Sequence, residues 1–268
     1  MKTGADSNRT AHWATQFQPY ALGLLRVVAA LLFWEHGAQK LFGWFGGQTV
    51  PAFRLFWFAG VIEAFGAPLL LIGFLTRPIA MLLCCEMAVA YLTQHLPNGF
   101  WPIQNQGVPA LQYCAIFLLL AAAGPGRFAV DELIGGNSSK VSGGLSQRLG
   151  QFYPTALTIL RITAAFLFWQ FGVRKMFGSL GGRVVQFPAR LWFAGVMEAF
   201  GAPLLAFGVM TRLLAFLFSG EMAVAFWISH VPRGHFWPIQ NGGEPAVLFC
   251  FIYLFLATAG PGKLSVQQ

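Results

Sequence analysis

The chain contains the same sequence pattern twice. Residues 57–70 and 192–205 agree at thirteen of fourteen positions, at an offset of 135 residues. The sequence FWPIQN at 100–105 returns at 236–241 after one inserted residue. Self-similarity at one fixed offset indicates a tandem duplication in which each copy is one structural unit. Any fold of this chain must therefore accommodate two copies of the same unit, called here the first and the second repeat.

Each repeat contains four long apolar segments. They run roughly over 20–43, 53–75, 78–96 and 108–123 in the first repeat and over 155–178, 188–210, 213–231 and 245–259 in the second. Across the chain, 56% of residues are hydrophobic and 10% are charged, against about 25% charged in a soluble domain. This excludes a soluble enzyme, and the segments are too long and lack the alternation of membrane barrel strands.

The four spans of a repeat fix its topology. Because four is an even number, both repeats enter the membrane from the same side, which makes them parallel repeats. The prediction is an all-α integral membrane protein with eight transmembrane helices in two parallel-repeat four-helix bundles. The predicted segments are a polar N-terminal segment at 1–19, modules at 20–126 and 153–262, a linker at 127–152 and a tail at 263–268.

The net charge of +8 comes from residues scattered at the ends of the apolar segments. This pattern is typical of membrane-flanking anchors that contact lipid, and it lacks the dense basic patch of a nucleic-acid surface. Ten basic residues on the side of the termini, against seven on the other, favour termini in the cytoplasm. The four cysteines form no CxxC pattern and resemble small hydrophobic residues.

Carboxylates within the apolar segments are the most informative residues. They form two matched pairs, Glu63 and Glu86 in the first repeat and Glu198 and Glu221 in the second. A charge at mid-bilayer costs about 2.5–3.5 kcal/mol on insertion scales. One interpretation is a proton-relay or quinol site, and the other is a structural polar network joining the helices. Lys40 and Arg26 are the candidate partners in the first repeat, and Lys175 and Arg161 in the second.

The two repeats differ at two informative positions. His36 in the first repeat corresponds to Phe171 in the second, whereas Glu244 in the second corresponds to Val108 in the first. One interpretation is a composite site shared between the repeats. The other is that the two copies diverged at these positions after duplication because selection on each copy was relaxed.

The same type of loop follows the third apolar segment in both repeats. His95 and His230 end that segment, and Trp101 and Trp237 lie in the FWPIQN sequence that follows. Histidine and tryptophan in this setting favour a quinone-headgroup pocket, or alternatively an interfacial cap for the helix ends. The sequence contains no HExxH pattern, Glu-x-x-His pair or cysteine cluster, so no metal site is predicted.

The sequence LRVVAALLFWEHGAQKLFGWFGG at 25–47 resembles the opening motif of the DoxX-like family of four-helix membrane proteins. The glutamates of the second and third segments, Gly-Gly-Glu-Pro-Ala at 242–246 and the Gly-Pro-Gly turns are similar to the rest of that pattern. The chain thus resembles two fused DoxX-like modules. The matching positions are His36, Lys40, Glu63, Glu86 and His95, and Lys175, Glu198, Glu221, His230 and Glu244.

The resemblance implies a bacterial-type plasma-membrane subunit of a quinone-linked oxidoreductase, with thiosulfate or another sulfur compound as donor. The candidate catalytic residues are Glu63, Glu86, Glu198 and Glu221. The candidate cofactor-binding residues are His36, Lys40, His95, Trp101, Lys175, His230, Trp237 and Glu244. Other membrane-protein subunits are the expected partners. A non-catalytic assembly, anchoring or scaffold subunit is the alternative, and a small-molecule transporter is a third.

Overall fold

The computed structural model describes residues 3–135 and 143–266. Parts of three predicted segments therefore lie outside the described residues, namely 1–2 of the N-terminal segment, 136–142 of the linker and 267–268 of the tail. Within the described residues the chain is helical and forms no β-strand.

The helices follow the predicted apolar segments. The first repeat contains α1 (Thr3–Phe42), α2 (Leu55–Ile72), α3 (Thr76–Ala90) and α4 (Val108–Ala123). Two short helices, α5 (Val130–Gly135) and α6 (Gly143–Gln151), flank the undescribed part of the linker. The second repeat contains α7 (Tyr153–Phe177), α8 (Arg190–Val196), α9 (Ala202–Ala206), α10 (Thr211–Ala225), α11 (Pro238–Asn241) and α12 (Glu244–Ala259).

Within 3–135 and 143–266, five helical segments are long and apolar enough to cross a membrane. They are Ala14–Phe42, Leu55–Ile72, Thr76–Asn98, Tyr153–Phe177 and Thr211–Arg233. Two further apolar helices, α4 and α12, have 16 residues each. The counterpart of α2 in the second repeat is interrupted, because a π-helical turn at Met197–Gly201 separates α8 from α9.

The two repeats are interleaved around a central group of four helices. Helix α1 packs on α12, and at the equivalent place of the other repeat α7 packs on α4. Helices α4 and α12 also contact each other. The remaining helices lie outside, with α2 on α1 and α3 on α4 in the first repeat. The core is therefore built from helices α1, α4, α7 and α12.

Glycine allows the two outer contacts of α1 and α7 to be very close. A Cβ atom at Gly37 would overlap the backbone of Ala64 in α2, and a Cβ atom at Gly172 would overlap the backbone of Ala199. The close approach brings the next turns of the paired helices together. This is where the buried lysine–glutamate pairs form.

The buried arginines bind carbonyl groups at helix ends and not the buried glutamates. Arg26 donates from its guanidinium to the carbonyl oxygens of Pro125 and Phe128, at 2.5 and 2.8 Å. Arg161 donates likewise to Pro261 and Leu264. The interpretation of both arginines as partners of the carboxylates was wrong, because the turns after α4 and α12 present unpaired carbonyl groups that a guanidinium satisfies.

The start of the predicted linker is tied to the first repeat. The carboxylate of Asp131 accepts hydrogen bonds from the backbone N–H groups of Leu75 and Thr76, both at 2.9 Å. These N–H groups begin α3 and have no partner within the helix, so Asp131 caps it. The backbone N–H of Arg127 in turn donates to the carbonyl of Pro19.

Candidate functional site

One lysine–glutamate ion pair lies at the same place in each repeat. Lys40 at the end of α1 donates to Glu63 in α2, and Lys175 at the end of α7 donates to Glu198. Both glutamates are 1% exposed, whereas the lysines keep about a quarter of their side chains accessible. The predicted pairing of each lysine with the polar network is confirmed. Because α1 and α2 touch at Gly37, the long lysine side chain reaches a carboxylate inside the membrane-spanning segment.

The second carboxylate of each pair lies beside the first. Glu86 on α3 is close enough to Glu63 for their charges to interact, and Glu221 on α10 stands in the same relation to Glu198. Both carboxyl oxygens of Glu86 are buried, and neither has a hydrogen-bond partner among the described residues. A buried polar group without a partner is costly, so it marks a place where a ligand or a proton would be stabilised.

A groove between α2 and α3, called here the first-repeat groove, reaches this cluster from outside. Its volume is about 300 Å³, and Lys40, Glu63 and Glu86 contribute its polar lining, together with Thr93 and Gln94. The walls are otherwise mainly apolar and include Leu55, Phe58, Leu82 and Val89, which are exposed on the outer face of the helices. The groove thus combines a lipid-facing apolar channel with a charged floor.

A second polar cluster lies where the two repeats meet. The Nε2 atom of His36 on α1 is 2.7 Å from Oε1 of Glu244, the first residue of α12. The hydroxyl of Tyr113 on α4 donates to the same carboxylate oxygen. We call these three residues the polar corner. The structure brings His36 and Glu244 together, as the interpretation of a composite site requires.

Tyr113 is the functional candidate that the sequence reasoning missed. Its counterpart in the second repeat is Phe249, and the hydroxyl of that repeat lies one helical turn later, at Tyr253. Tyr113 and Phe249 both place an aromatic ring in an apolar helix, so a single copy does not mark the Tyr113 hydroxyl as functional. Comparing the repeats position by position would have found it beside the differences at His36 and Glu244.

The FWPIQN loops make contacts between the repeats. Each loop packs on the other repeat: Trp101 stacks on Phe166 with ring centroids 6.1 Å apart, and Trp237 meets Phe45 at 5.0 Å. The backbone N–H of Ile239 in the second loop donates to the carboxylate of Glu35 at 3.2 Å. The loops therefore hold the starts of α4 and α12 against α7 and α1.

The histidines beside these loops contact loop backbone. The Nδ1 atom of His95 is 3.0 Å from the carbonyl oxygen of Asn105, and that of His230 is 3.3 Å from the carbonyl oxygen of Asn241. His95, Trp101, His230 and Trp237 do not line the first-repeat groove. These contacts fit the interpretation of the loops as caps, while a direct role in binding a cofactor stays a prediction.

The first repeat also contains a close pair of thiols. The Sγ atoms of Cys84 on α3 and Cys114 on α4 are 3.8 Å apart. In the second repeat the equivalent residues are Ser219 and Cys250, and the Ser219 hydroxyl donates to the Cys250 carbonyl at 2.9 Å. Across 3–135 and 143–266, no group of three His, Cys, Asp or Glu side chains is arranged to hold a metal ion.

Comparison with known proteins gives two matches. The family model described as DoxX matches residues 21–96 and 156–231, which contain the first three apolar segments of each repeat. A protein of Haemophilus influenzae described as uncharacterized is 38% identical over 124 residues, which cover 44% of this chain and 92% of that protein. The matched stretch has about the length of one repeat and covers nearly the whole of that relative. No solved structure matches the chain. Tyr113 and Glu244 lie outside both segments matched by the family model.

Proposed function

The chain belongs to the DoxX family and is a multi-pass membrane protein, and from this premise we propose that it is the membrane subunit of a quinone-linked oxidoreductase. The observation that carries the proposal is the first-repeat groove, whose apolar walls face lipid and whose floor holds Lys40, Glu63 and Glu86. An amphipathic ring with an isoprenoid tail has the matching distribution of polar and apolar surface. Glu198, Glu221 and Lys175 form the corresponding cluster of the second repeat.

The residues of the groove suit the two carbonyl oxygens of a quinone headgroup. Lys40, which is paired with Glu63 and keeps about a quarter of its side chain accessible, offers ammonium protons, and a protonated Glu86 would donate a hydrogen bond from a position that otherwise lacks a partner. A bound quinone supplies two-electron, two-proton redox chemistry. The side chains here hold and move protons, whereas the electrons must come from a partner polypeptide or its cofactor. The family resemblance points to a sulfur compound such as thiosulfate as the donor.

Binding of decylubiquinone to the full chain in lipid nanodiscs tests the proposal. We expect the wild-type protein to bind it and Glu86→Leu, which removes the hydrogen-bond donor, to weaken binding at least about tenfold. Glu132→Leu removes an exposed carboxylate of α5 and is the matched control. No binding by the wild-type protein, or equal binding by Glu86→Leu, would contradict the proposal.

We also propose that eight helices cross the plasma membrane of a bacterium, with both termini in the cytoplasm. Helices α4 and α12 are about 24 Å long at 1.5 Å per residue, less than a hydrocarbon core of about 30 Å. Both are mostly buried among other helices, so they need less lipid-facing length. Fusion of an alkaline phosphatase reporter to the C-terminus tests the orientation, because activity of that reporter would place the terminus outside the cytoplasm.

The alternative is a non-catalytic anchoring or scaffold subunit. It is favoured by the presence of a closed lysine–glutamate pair in both repeats, since such a pair can serve to join α1 to α2, and α7 to the π-helical turn between α8 and α9. Purification of the protein with its partners from native membranes distinguishes a scaffold subunit from a subunit that binds quinone. A stoichiometric protein partner whose turnover is unchanged by Glu63→Gln would favour the scaffold.

A further inference from the structure

The polar corner has an apolar counterpart on the other side of the molecule. Phe171, Phe249 and Val108 occupy the positions of His36, Tyr113 and Glu244, and we call them the apolar corner. The rings of Phe171 and Phe249 lie edge to face at 6.1 Å and 88°, close to the 6.2 Å and 90° between His36 and Tyr113. The packing geometry is thus the same in both corners, while every polar group of one is replaced in the other.

His36 lies between the polar corner and the first-repeat groove. It precedes Gly37, the residue at which α1 touches the backbone of Glu63 and Ala64. It is one helical turn before Lys40, which is paired with Glu63. The charges of His36 and Glu63 are close enough to interact. A line of proton-exchanging groups therefore runs from Tyr113 and Glu244 through His36 to the floor of the groove.

The second repeat has no such line. The floor of the groove is repeated there by Lys175, Glu198 and Glu221. However, Phe171 occupies the position at which His36, in the first repeat, connects that floor to the seam, the contact between α1 and α12 where the two repeats meet. A phenyl ring neither accepts nor donates a proton. The two carboxylate clusters are therefore alike in their own residues and differ in what lies next to them.

We propose that His36 is a proton link between Glu244 at the seam and Glu63 in the first-repeat groove, and that the second repeat lacks this link. One proton leaves the imidazolium of His36 for the Glu63 carboxylate, and the resulting imidazole takes the next proton from the Glu244 side. A rotation of the His36 ring or a bridging water spans the distance to Glu63. No electron moves in this step.

Histidine suits this position because its two ring nitrogens can receive and release a proton at different faces. The groups facing His36 are Glu244 from α12, Tyr113 from α4, Glu63 from α2 and, on α1 itself, Lys40 and Glu35. The inference rests on the proposed function, since it assigns the first repeat as the side that exchanges protons with a bound quinone. His36 acts as a positioning and relay residue and need not touch that ligand.

Hydrogen–deuterium exchange of the buried carboxyl groups tests the link without any quinone. The full chain in lipid nanodiscs is transferred to D₂O, and the carboxyl C=O bands are followed by infrared spectroscopy. The bands lost in Glu86→Gln and in Glu221→Gln identify the first-repeat and second-repeat clusters. We expect the first-repeat band to exchange at least about tenfold faster, a difference of about 1.4 kcal/mol in barrier.

His36→Phe is expected to slow the first-repeat band to the rate of the second-repeat band. The triple variant His36→Phe/Tyr113→Phe/Glu244→Val copies the apolar corner, preserves its packing and should give the same slow rate if the single variant folds poorly. Equal exchange in the wild type, an unchanged rate in these variants or the absence of a protonated carboxyl band at Glu86 would overturn the link. Decylubiquinone binding measured on the same samples separates this failure from failure of the proposed function.

Discussion

The imidazole of His36 and the carboxylate of Glu244 lie 2.7 Å apart although 208 residues separate them in the chain. Glu244 is 6% exposed, so His36→Phe should leave its carboxylate with fewer partners. We expect a loss of about 1–3 kcal/mol in the free energy of unfolding. Adding Glu244→Val together with Tyr113→Phe should recover most of it, since the buried acceptor and the Tyr113 hydroxyl that donates to it are then both removed. Thermal unfolding in nanodiscs followed by circular dichroism measures both, and strictly additive effects would show that the pair is not coupled.

The two lysine–glutamate pairs predict matched responses in the two repeats. Lys40→Met removes the ammonium and leaves the buried Glu63 carboxylate unpaired, which should cost about 3–5 kcal/mol. Lys175→Met should cost a similar amount through Glu198, because both glutamates are equally buried. The second substitution Glu63→Gln should restore much of the stability of Lys40→Met.

These stability changes are measured from the unfolding midpoints of the wild type, the two single variants Lys40→Met and Glu63→Gln, and the double variant, which together form a double-mutant cycle. If Lys40→Met is harmless while Lys175→Met is not, the equivalence of the two ion pairs is wrong.

The contact between α1 and α2 predicts strong intolerance at Gly37. A Cβ atom there would overlap the backbone of Ala64, which cannot move without separating the two helices. Gly37→Ala and the equivalent Gly172→Ala should each reduce the yield of monodisperse protein severely. Gly220→Ala on α10 is the matched control, because the added methyl group has no neighbour within 4 Å. That change should be neutral or stabilise by up to about 1 kcal/mol. Size-exclusion profiles after solubilisation report the result, and equal yields of all three variants would contradict the close helix contact.

The thiols of Cys84 and Cys114 predict a crosslink between α3 and α4. Their Sγ atoms are 3.8 Å apart, so an oxidant should join them after a small side-chain rotation. Mass spectrometry after copper–phenanthroline treatment should then find both protected from maleimide in the denatured protein. Cys250 should still be labelled, because its neighbour is Ser219. Ser219→Cys should create the same crosslink in the second repeat, whereas labelling of Cys84 after oxidation would place the two helices further apart.

The helices and the lysine–glutamate pairs could be predicted from the sequence because their causes are local. Apolar segment length specifies a helix, and a lysine at the end of one span needs a carboxylate from the next. The partners of Arg26 could not be found in this way, since they are carbonyl groups exposed by the turn after α4. The polar corner could be put forward only as one of two interpretations, because its contacts depend on which helices of the two repeats pack together. His36 and Glu244 were visible as differences between the repeats, but only docking of α1 on α12 makes them neighbours.

The pairing of α1 with α12 and of α7 with α4 also bears on why the two copies share one chain. Two identical polypeptides assembled around a twofold axis must carry the same side chains at both symmetric contacts. A histidine introduced at one contact would appear at the other, and so would its acidic partner. When the copies are joined in one chain, the residues of each contact can be substituted independently. One contact can then acquire ionisable side chains while the other stays apolar. Fusion of the two copies therefore permits a functional asymmetry that a symmetric dimer of identical chains could not have.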